Sequence, residues 1–115
     1  MDALLGAAGL KDIGYYFPPE DDAYKGISSM ILLKHVNSLL KERGLEAYNI
    51  DIMVISETPK LKPHIDTMKA NLQSVLEIPL DRISIKATTN EMLGAIGRRE
   101  GIAAQAVVSV YEGEV

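Results

Sequence analysis

The stretch YNIDIMVI, residues 48–55, is the part of the sequence on which the predicted fold depends most. Every second side chain in it is aromatic or aliphatic: Tyr48, Ile50, Ile52 and Val54. A period of two is typical of a β-strand, with those four side chains on one face. The other face is half apolar as well, so we expect both faces to be covered and the strand to lie at the centre of a sheet.

One predicted helix precedes this strand and another follows it. Ser28 or Ser29 can cap the first helix, which runs to about residue 43 and stops at Gly44, where a glycine suits the helix end. Its predicted apolar stripe consists of Leu32, Val36, Leu39 and Leu40, and its predicted solvent face of Lys34, Asn37, Lys41 and Glu42. The second helix spans residues 64–76, with an inward face made of Ile65, Met68, Leu72 and either Val75 or Leu76.

The remaining elements extend the alternation of strands and helices. Strands are predicted at residues 83–87 and 102–111, with a short helix at 90–96 between them that ends at Gly97. Near the start, four residues are typical of the last turns of a buried helix: Leu4, Leu5, Ala8 and Leu10. This order predicts the α/β class, an α+β sandwich in which a mixed β-sheet has helices packed on one face.

Composition excludes several classes of protein. The 115 residues suit a single domain over residues 1–115, and the net charge of −4, with both signs interspersed, gives no basic field for nucleic acid. The absence of cysteine excludes disulfides and thiolate metal cages. No apolar run approaches the ~18 residues of a membrane span, and the first residues lack a signal-peptide pattern, so a cytoplasmic location is expected.

The segment KATTNE, residues 86–91, is predicted to join a strand to the start of the short helix. The first turn of a helix has free backbone N–H groups and a partial positive charge that suit a phosphate, and Thr88 and Thr89 would add hydroxyl donors. Glu91 could ligate a divalent cation that bridges phosphates. The same four residues, Thr-Thr-Asn-Glu, are also ordinary helix-capping chemistry, so both interpretations stay open.

Three other segments could bind an anion or a sugar, and each also has a structural interpretation. Arg98, between glycines in GRREG, could hold a diphosphate bidentately or lie in a solvated turn. Asp12, in DIG, could accept sugar hydroxyls or form an Asx turn. Lys60, after Pro59, could contact a phosphate or face solvent. Each of these motifs is weak alone.

Taken together and in order, the motifs resemble one enzyme family. They are DALLGAAGLKDIG, the FP turn followed by YKG, TPKLKPHI, KATTNE and GRREGIAAQAV. Over residues 2–110 the chain is similar to the 2-C-methyl-D-erythritol 2,4-cyclodiphosphate synthase family of non-mevalonate isoprenoid (terpenoid) biosynthesis. Because several motifs share the family's order and spacing, the resemblance is specific.

The resemblance implies a lyase and its reaction. Family members cyclise 4-diphosphocytidyl-2-C-methyl-D-erythritol 2-phosphate to 2-C-methyl-D-erythritol 2,4-cyclodiphosphate and release CMP. They are homotrimers with active sites between neighbouring subunits, and they can hold an isoprenoid diphosphate on the trimer axis. Zinc and a second divalent ion, magnesium or manganese, hold and polarise the diphosphate. A bacterial cytosol is implied, or a plastid stroma if the source is a plant or alga.

By position, the resemblance assigns two loops and one turn to the substrate. The loop of Asp12, Ile13 and Gly14 would meet the ribose or methylerythritol hydroxyls. Phe17, Pro18 and Asp21 would belong to the flexible loop over the methylerythritol phosphate. The cytidine pocket would be formed by the turn of Pro59, Lys60 and Leu61, largely through its backbone.

The resemblance also assigns roles to the corner after residue 86. Thr88 and Thr89 match the threonines at the phosphates, with Thr89 the catalytic residue that stabilises the transition state. Glu91 matches the glutamate that binds the second metal, and Arg98 matches the arginine near the trimer axis. Ala95 and Arg99 depart from the usual phenylalanine and glycine of that axial region.

The largest departure from the family concerns zinc. The family's zinc ligands, one aspartate and two histidines, lie in a portion that comes before the first helix, and this sequence begins within that helix. We therefore expect an N-terminally shortened member of the family without zinc ligands. His35 and His64 do not replace them by position, and structural roles are favoured for both.

Three hypotheses follow from these observations. The chain is part of an active synthase, or it is a catalytically inactive subunit that binds nucleotide or isoprenoid diphosphate, or it is a small α/β binding module whose threonines only cap a helix. Binding of a cytidine nucleotide would separate the first two hypotheses from the third.

Overall fold

The computed structural model describes residues 1–113 of the chain. Its α-helices are α1 (Asp2–Ala7), α2 (Ile13–Tyr16), α3 (Ser29–Glu42), α4 (Ile65–Leu76) and α5 (Gly94–Gly97). Its strands are β1 (Leu45–Ile55), β2 (Ile83–Thr88) and β3 (Ala103–Glu112). Short 3₁₀ turns lie at Asp22–Tyr24, Lys62–His64 and Leu80–Arg82. Within residues 1–113, no helix is long and apolar enough to cross a bilayer.

The three strands form one mixed sheet in the order β2–β1–β3. β1 runs parallel to β2 and antiparallel to β3, so the strand that contains YNIDIMVI is central, as its two-sided apolar pattern predicted. The parallel pair is joined through α4, since parallel strands need a crossover connection, which is usually a helix.

Helices cover one face of the sheet and form the core there. α3 packs on β1, α4 on β2 and α1 on β3. The side chains of Leu5, Val36 and Leu40 are fully buried in this layer, and the sheet contributes Ile50, Ile83 and Ile85. The expectation that both faces are covered is wrong for this chain: the opposite face is open, with Val107 73% exposed and an ion pair between Lys86 and Asp51 across it. The predicted fold class is thereby confirmed.

Two predicted side-chain orientations are wrong. Tyr48 is 47% exposed instead of facing inward with Ile50, because a register irregularity between Ala47 and Asn49 resets the alternation and buries Ala47. Asn37, predicted to face water, is buried between α3 and α4, where its amide donates a hydrogen bond of 3.3 Å to the carbonyl of Val75. That bond compensates the cost of burying the amide.

Candidate functional site

The candidate site lies where the two parallel strands end. Ile55, the last residue of β1, is the register partner of Thr88, the last residue of β2, and the backbone N–H of Ser56 donates 2.9 Å to the carbonyl of Thr88. The segments that follow the two strands therefore leave the sheet side by side. In open α/β sheets, ligands bind at the carboxyl ends of parallel strands.

A cavity of about 170 Å³ lies between these two segments. Its walls are Ser56, Pro59, Lys60, Leu61, Lys62, Ala87, Thr88 and Thr89. The structure thus brings together two groups that lie about 28 positions apart in the sequence, the 59–61 turn and the threonine pair. The cavity combines apolar walls with lysine and hydroxyl donors, which suits a ligand with a flat apolar part and an anionic part.

The predicted helix at 90–96 is wrong in its first half. Residues 90–93 form a turn, closed by the N–H of Leu93 donating 3.0 Å to the carbonyl of Asn90. Its two central residues, Glu91 and Met92, have φ of 53° and 63°, the signs found in a type I′ turn and incompatible with a helix. Helix α5 begins only at Gly94.

The late start of α5 changes the interpretation of Thr88 and Thr89. They do not lie at the first turn of a helix, so neither the helix-terminus phosphate site nor the helix-capping interpretation of KATTNE is correct. Anion binding at this corner has to come from side-chain groups, because the backbone N–H groups of residues 90–93 all donate to acceptors within the chain. We call residues 90–93 the corner turn.

The corner turn is held by a residue that the sequence did not indicate. Oε1 of Glu57 accepts hydrogen bonds from the backbone N–H groups of Asn90, at 2.9 Å, and Met92, at 3.0 Å. The Asn90 side-chain amide donates 2.7 Å to the carbonyl of Leu93. On the other side, a Cβ at Gly97 would lie 2.1 Å from the carbonyl carbon of Met92, so only glycine fits there.

The polar groups of the corner remain available to a ligand. Thr89 Oγ1 accepts a bond of 3.3 Å from the N–H of Glu91, which leaves the hydroxyl proton free to be donated. Thr88 Oγ1 donates 3.4 Å to the carbonyl of Thr89, a long bond that a better acceptor can displace. Within residues 1–113, the carboxylate of exposed Glu91 and the ammonium of exposed Lys60 have no hydrogen-bond or ion-pair partner.

The resemblance implies zinc and a second divalent ion, and the residues of the corner fit the second ion but not zinc. A free, exposed carboxylate such as that of Glu91 suits magnesium, which is commonly held by one or two carboxylates together with phosphate oxygens. Zinc requires three or four protein ligands. Residues 1–113 contain no cluster of three or more His, Cys, Asp or Glu side chains that could hold a metal. These residues therefore do not fit a zinc site.

The loop residues assigned to the substrate do not reach this cavity. Asp12 caps α2, with Oδ1 accepting 3.0 Å from the N–H of Tyr15, which is the Asx-type structure left open above. Its neighbour Ile13 lines a different cavity, of about 620 Å³, against Ile52 and residues 104–106 of β3. Gly14 lies in α2. This loop therefore lies on the β3 side of the sheet, whereas the corner lies beyond β2.

The 17–21 segment is ordered by its own contacts. The ring of Phe17 packs edge-on against Tyr24, at 5.4 Å between centroids, and against His35, at 6.0 Å. The carbonyl of Pro18 accepts 3.0 Å from the N–H of Asp21, whose carboxylate caps the next 3₁₀ turn at the N–H of Ala23. His35 thus has the packing role favoured from the sequence.

Arg98 lies just after α5. Its Nε is 2.7 Å from Oε2 of Glu100, and both side chains are well exposed. Nearby, Met92 is 77% exposed and Leu93 is 67% exposed. One edge of the guanidinium is occupied by this ion pair, and its two terminal NH₂ groups remain to bind an anion.

Comparison with known proteins identifies the family. Residues 1–111 match the model of the YgbB family. The chain is 54% identical over 108 residues to the 2-C-methyl-D-erythritol 2,4-cyclodiphosphate synthase of Nostoc punctiforme, covering 94% of this chain and 68% of that protein. It is 55% identical over 113 residues to the synthase of that name from Thermosynechococcus vestitus, covering 98% of this chain and 70% of that protein.

Solved structures agree with the sequence matches. The bifunctional IspDF of Campylobacter jejuni superposes with a TM-score of 0.90 at 46% identity, covering 95% of this chain and 30% of that longer one. A Plasmodium falciparum IspF in complex with CDP superposes with a TM-score of 0.84 at 32% identity, covering 98% of this chain and 67% of that one. The chain therefore belongs to the YgbB family, and the resemblance to cyclodiphosphate synthases is confirmed.

Proposed function

We propose that this chain is a 2-C-methyl-D-erythritol 2,4-cyclodiphosphate synthase, a lyase of non-mevalonate isoprenoid biosynthesis. Its substrate is 4-diphosphocytidyl-2-C-methyl-D-erythritol 2-phosphate, and its products are the 2,4-cyclodiphosphate and CMP. The single observation that carries the proposal is the cavity shared by the 59–61 turn and the threonine pair, because it joins a recess with apolar walls to hydroxyl and ammonium groups. The names of the relatives and the CDP complex of the Plasmodium falciparum protein support it.

The residues of the corner would divide the work of binding. Pro59 and Leu61 form the wall against which the cytosine ring lies, and Lys60 places a positive charge beside the phosphates. Thr88 and Thr89 donate their hydroxyls to phosphate oxygens. As the 2-phosphate attacks the β-phosphorus, negative charge shifts to the CMP leaving group, and the Thr89 hydroxyl stabilises the oxygens that carry it.

Glu91 is the residue of this chain that would hold the second divalent ion, magnesium or manganese, together with diphosphate oxygens. When bound, that ion neutralises phosphate charge and polarises the phosphorus–oxygen bonds. No step is assigned to zinc, because residues 1–113 do not fit a zinc site.

The substrate-binding loop would act on the site of a neighbouring subunit in a homotrimer. The loop of Asp12, Ile13 and Gly14 lies on the β3 side of the sheet, so it cannot complete the cavity of its own chain. A site shared between subunits requires this separation, because the loop of one subunit completes the cavity of its neighbour. Phe17, Pro18 and Asp21 continue that loop over the methylerythritol phosphate. The open sheet face, with Val107 73% exposed, supports self-association because a neighbouring copy would cover it.

Two finer assignments complete the proposal. Arg98 would point its terminal NH₂ groups to an isoprenoid diphosphate on the trimer axis. The location would be the cytosol of a bacterium, since the matched synthases include those of Nostoc punctiforme and Thermosynechococcus vestitus. With the zinc ligands supplied, an inactive, nucleotide-binding subunit is less favoured, because Lys60, Thr88, Thr89 and Glu91 are all present.

The test is CMP release from the substrate with zinc and magnesium present. It is run on the chain alone and on the chain joined to the part of the Nostoc punctiforme protein that it does not match. We expect release by the joined protein and none by the chain alone, since residues 1–113 do not fit zinc. No release by the joined protein would contradict the proposed function, and release by the chain alone would contradict our account of zinc.

A further inference from the structure

We propose that Glu57 is the positioning residue of the site: its carboxylate holds the corner turn in the shape that presents Thr89 and Glu91 to the diphosphate and its metal. The inference deepens the proposed function and rests on it. Glu57 itself would touch neither the substrate nor the metal.

The geometry sets Glu57 apart from the other acidic residues of this region. A single oxygen, Oε1, accepts from two backbone N–H groups, those of Asn90 and Met92, at 2.9 Å and 3.0 Å. These two donors flank Glu91, so the carboxylate fixes the residue before and the residue after the proposed metal ligand. Glu57 follows β1, whereas the turn follows β2, and the paired bonds therefore link the two segments that enclose the cavity.

The turn needs such a support because its backbone is strained. Glu91 and Met92 both have positive φ, at 53° and 63°, and neither is a glycine. Consecutive left-handed residues with side chains are unfavourable and persist only where the surroundings impose them. The chain imposes them from two sides: Glu57 fixes the N–H groups, and the absence of a Cβ at Gly97 leaves room for the Met92 carbonyl.

Loss of this support would alter the ligand-binding groups rather than the core. Thr89 Oγ1 is oriented by the N–H of Glu91, which lies between the two residues that Glu57 holds. A turn that relaxes to negative φ would turn that N–H away from the Thr89 hydroxyl and move the Glu91 carboxylate. The diphosphate and metal contacts would then weaken, while the cytidine wall at Pro59 and Leu61 would keep its shape.

The experiment compares Glu57→Ala with Glu57→Gln, which keeps an oxygen acceptor. Glu42→Ala is the matched control, because Glu42 precedes β1 and lies roughly 33 Å away along an 11-residue strand. Three quantities are measured for each: the hydrogen exchange of the peptide that contains residues 88–93, the Kd of CDP and the Kd of CMP, both with magnesium present.

For Glu57→Ala we expect exchange to accelerate and the Kd of CDP to rise, each by about tenfold, while the Kd of CMP stays within about twofold. Glu57→Gln and Glu42→Ala should both stay near the wild type in hydrogen exchange, in the Kd of CDP and in the Kd of CMP. Native exchange or native CDP affinity in Glu57→Ala would overturn the proposal. Equal losses for CDP and CMP, or equal losses in Glu57→Ala and Glu57→Gln, would overturn it as well.

The exchange measurement keeps this proposal separable from the proposed function. If the wild-type protein bound no CDP, the proposed function would fail, and exchange alone would decide the role of Glu57. Accelerated exchange in Glu57→Ala, with protection retained in Glu57→Gln, would still support its hold on the turn.

Discussion

Glu57 and Asn90 are 33 residues apart in the chain, yet the backbone N–H of Asn90 donates a 2.9 Å hydrogen bond to the Glu57 carboxylate. The contact exists because β1 and β2 are parallel neighbours and end together. It converts two separate loops into one structural unit, with the cavity between them and the strained corner turn on its rim.

Gly97→Ala should disrupt this unit from the opposite side. The new Cβ would overlap the Met92 backbone at 2.1 Å, so the corner turn has to move. We expect a loss of about 1–3 kcal/mol in the free energy of unfolding, together with weaker CDP binding. Gly101→Ala is the control, because a Cβ there meets nothing within 4 Å. Equal melting temperatures for the two variants would contradict this account of the turn.

Glu91→Gln should separate the contribution of the metal to CDP binding from the contribution of the nucleotide contacts. The substitution keeps the size of the side chain and removes its charge, so magnesium should no longer tighten CDP binding, while the affinity for CMP should change little. Titrations of CDP with and without magnesium measure the effect. A parallel loss of CMP affinity would remove the metal-binding assignment of Glu91.

Lys60→Ala should weaken CMP and CDP alike. The ammonium is exposed, has no ion-pair partner within residues 1–113 and lines the cavity. Loss of a charge-assisted hydrogen bond of about 1.5 kcal/mol corresponds to roughly a tenfold rise in Kd. Lys34→Ala, on the exposed face of α3, should leave both affinities unchanged. Were Lys60→Ala to bind as the wild type does, the phosphate contact would be excluded.

Leu5→Ala should destabilise the chain strongly although α1 is only six residues long. The Leu5 side chain is fully buried, so its truncation leaves a cavity and should cost about 2–5 kcal/mol of unfolding free energy. Leu80→Ala, at a position 44% exposed, should cost far less. Urea denaturation curves compare the two. Similar midpoints would show that α1 is not part of the core.

The sequence predicted the fold well where a periodic pattern carried the information. The central position of β1, both long helices and the capping of α3 by Ser28 followed from alternation, the helical stripe and a known cap residue. It failed at Tyr48 and Asn37, where a register irregularity and one interhelical hydrogen bond override the period. Neither feature leaves a signal in the local sequence.

The site was predictable in its residue types but not in its shape. Family motifs indicated Lys60, Thr88, Thr89 and Glu91, and three of these surround or border one cavity. The corner turn was mistaken for a helix start because left-handed φ at Glu91 and Met92 is imposed by tertiary contacts, not by these residue types. Glu57 was missed for the same reason, since its partners lie on another loop.

The most direct test of the account is a titration of the protein with CDP in the presence and absence of magnesium, alongside Thr89→Val. Valine matches threonine in shape but lacks the hydroxyl that we assign to the phosphates. The account predicts saturable CDP binding that magnesium tightens, and at least about a tenfold weaker Kd in Thr89→Val. Absence of saturable binding, or identical curves for the wild type and Thr89→Val, would contradict it.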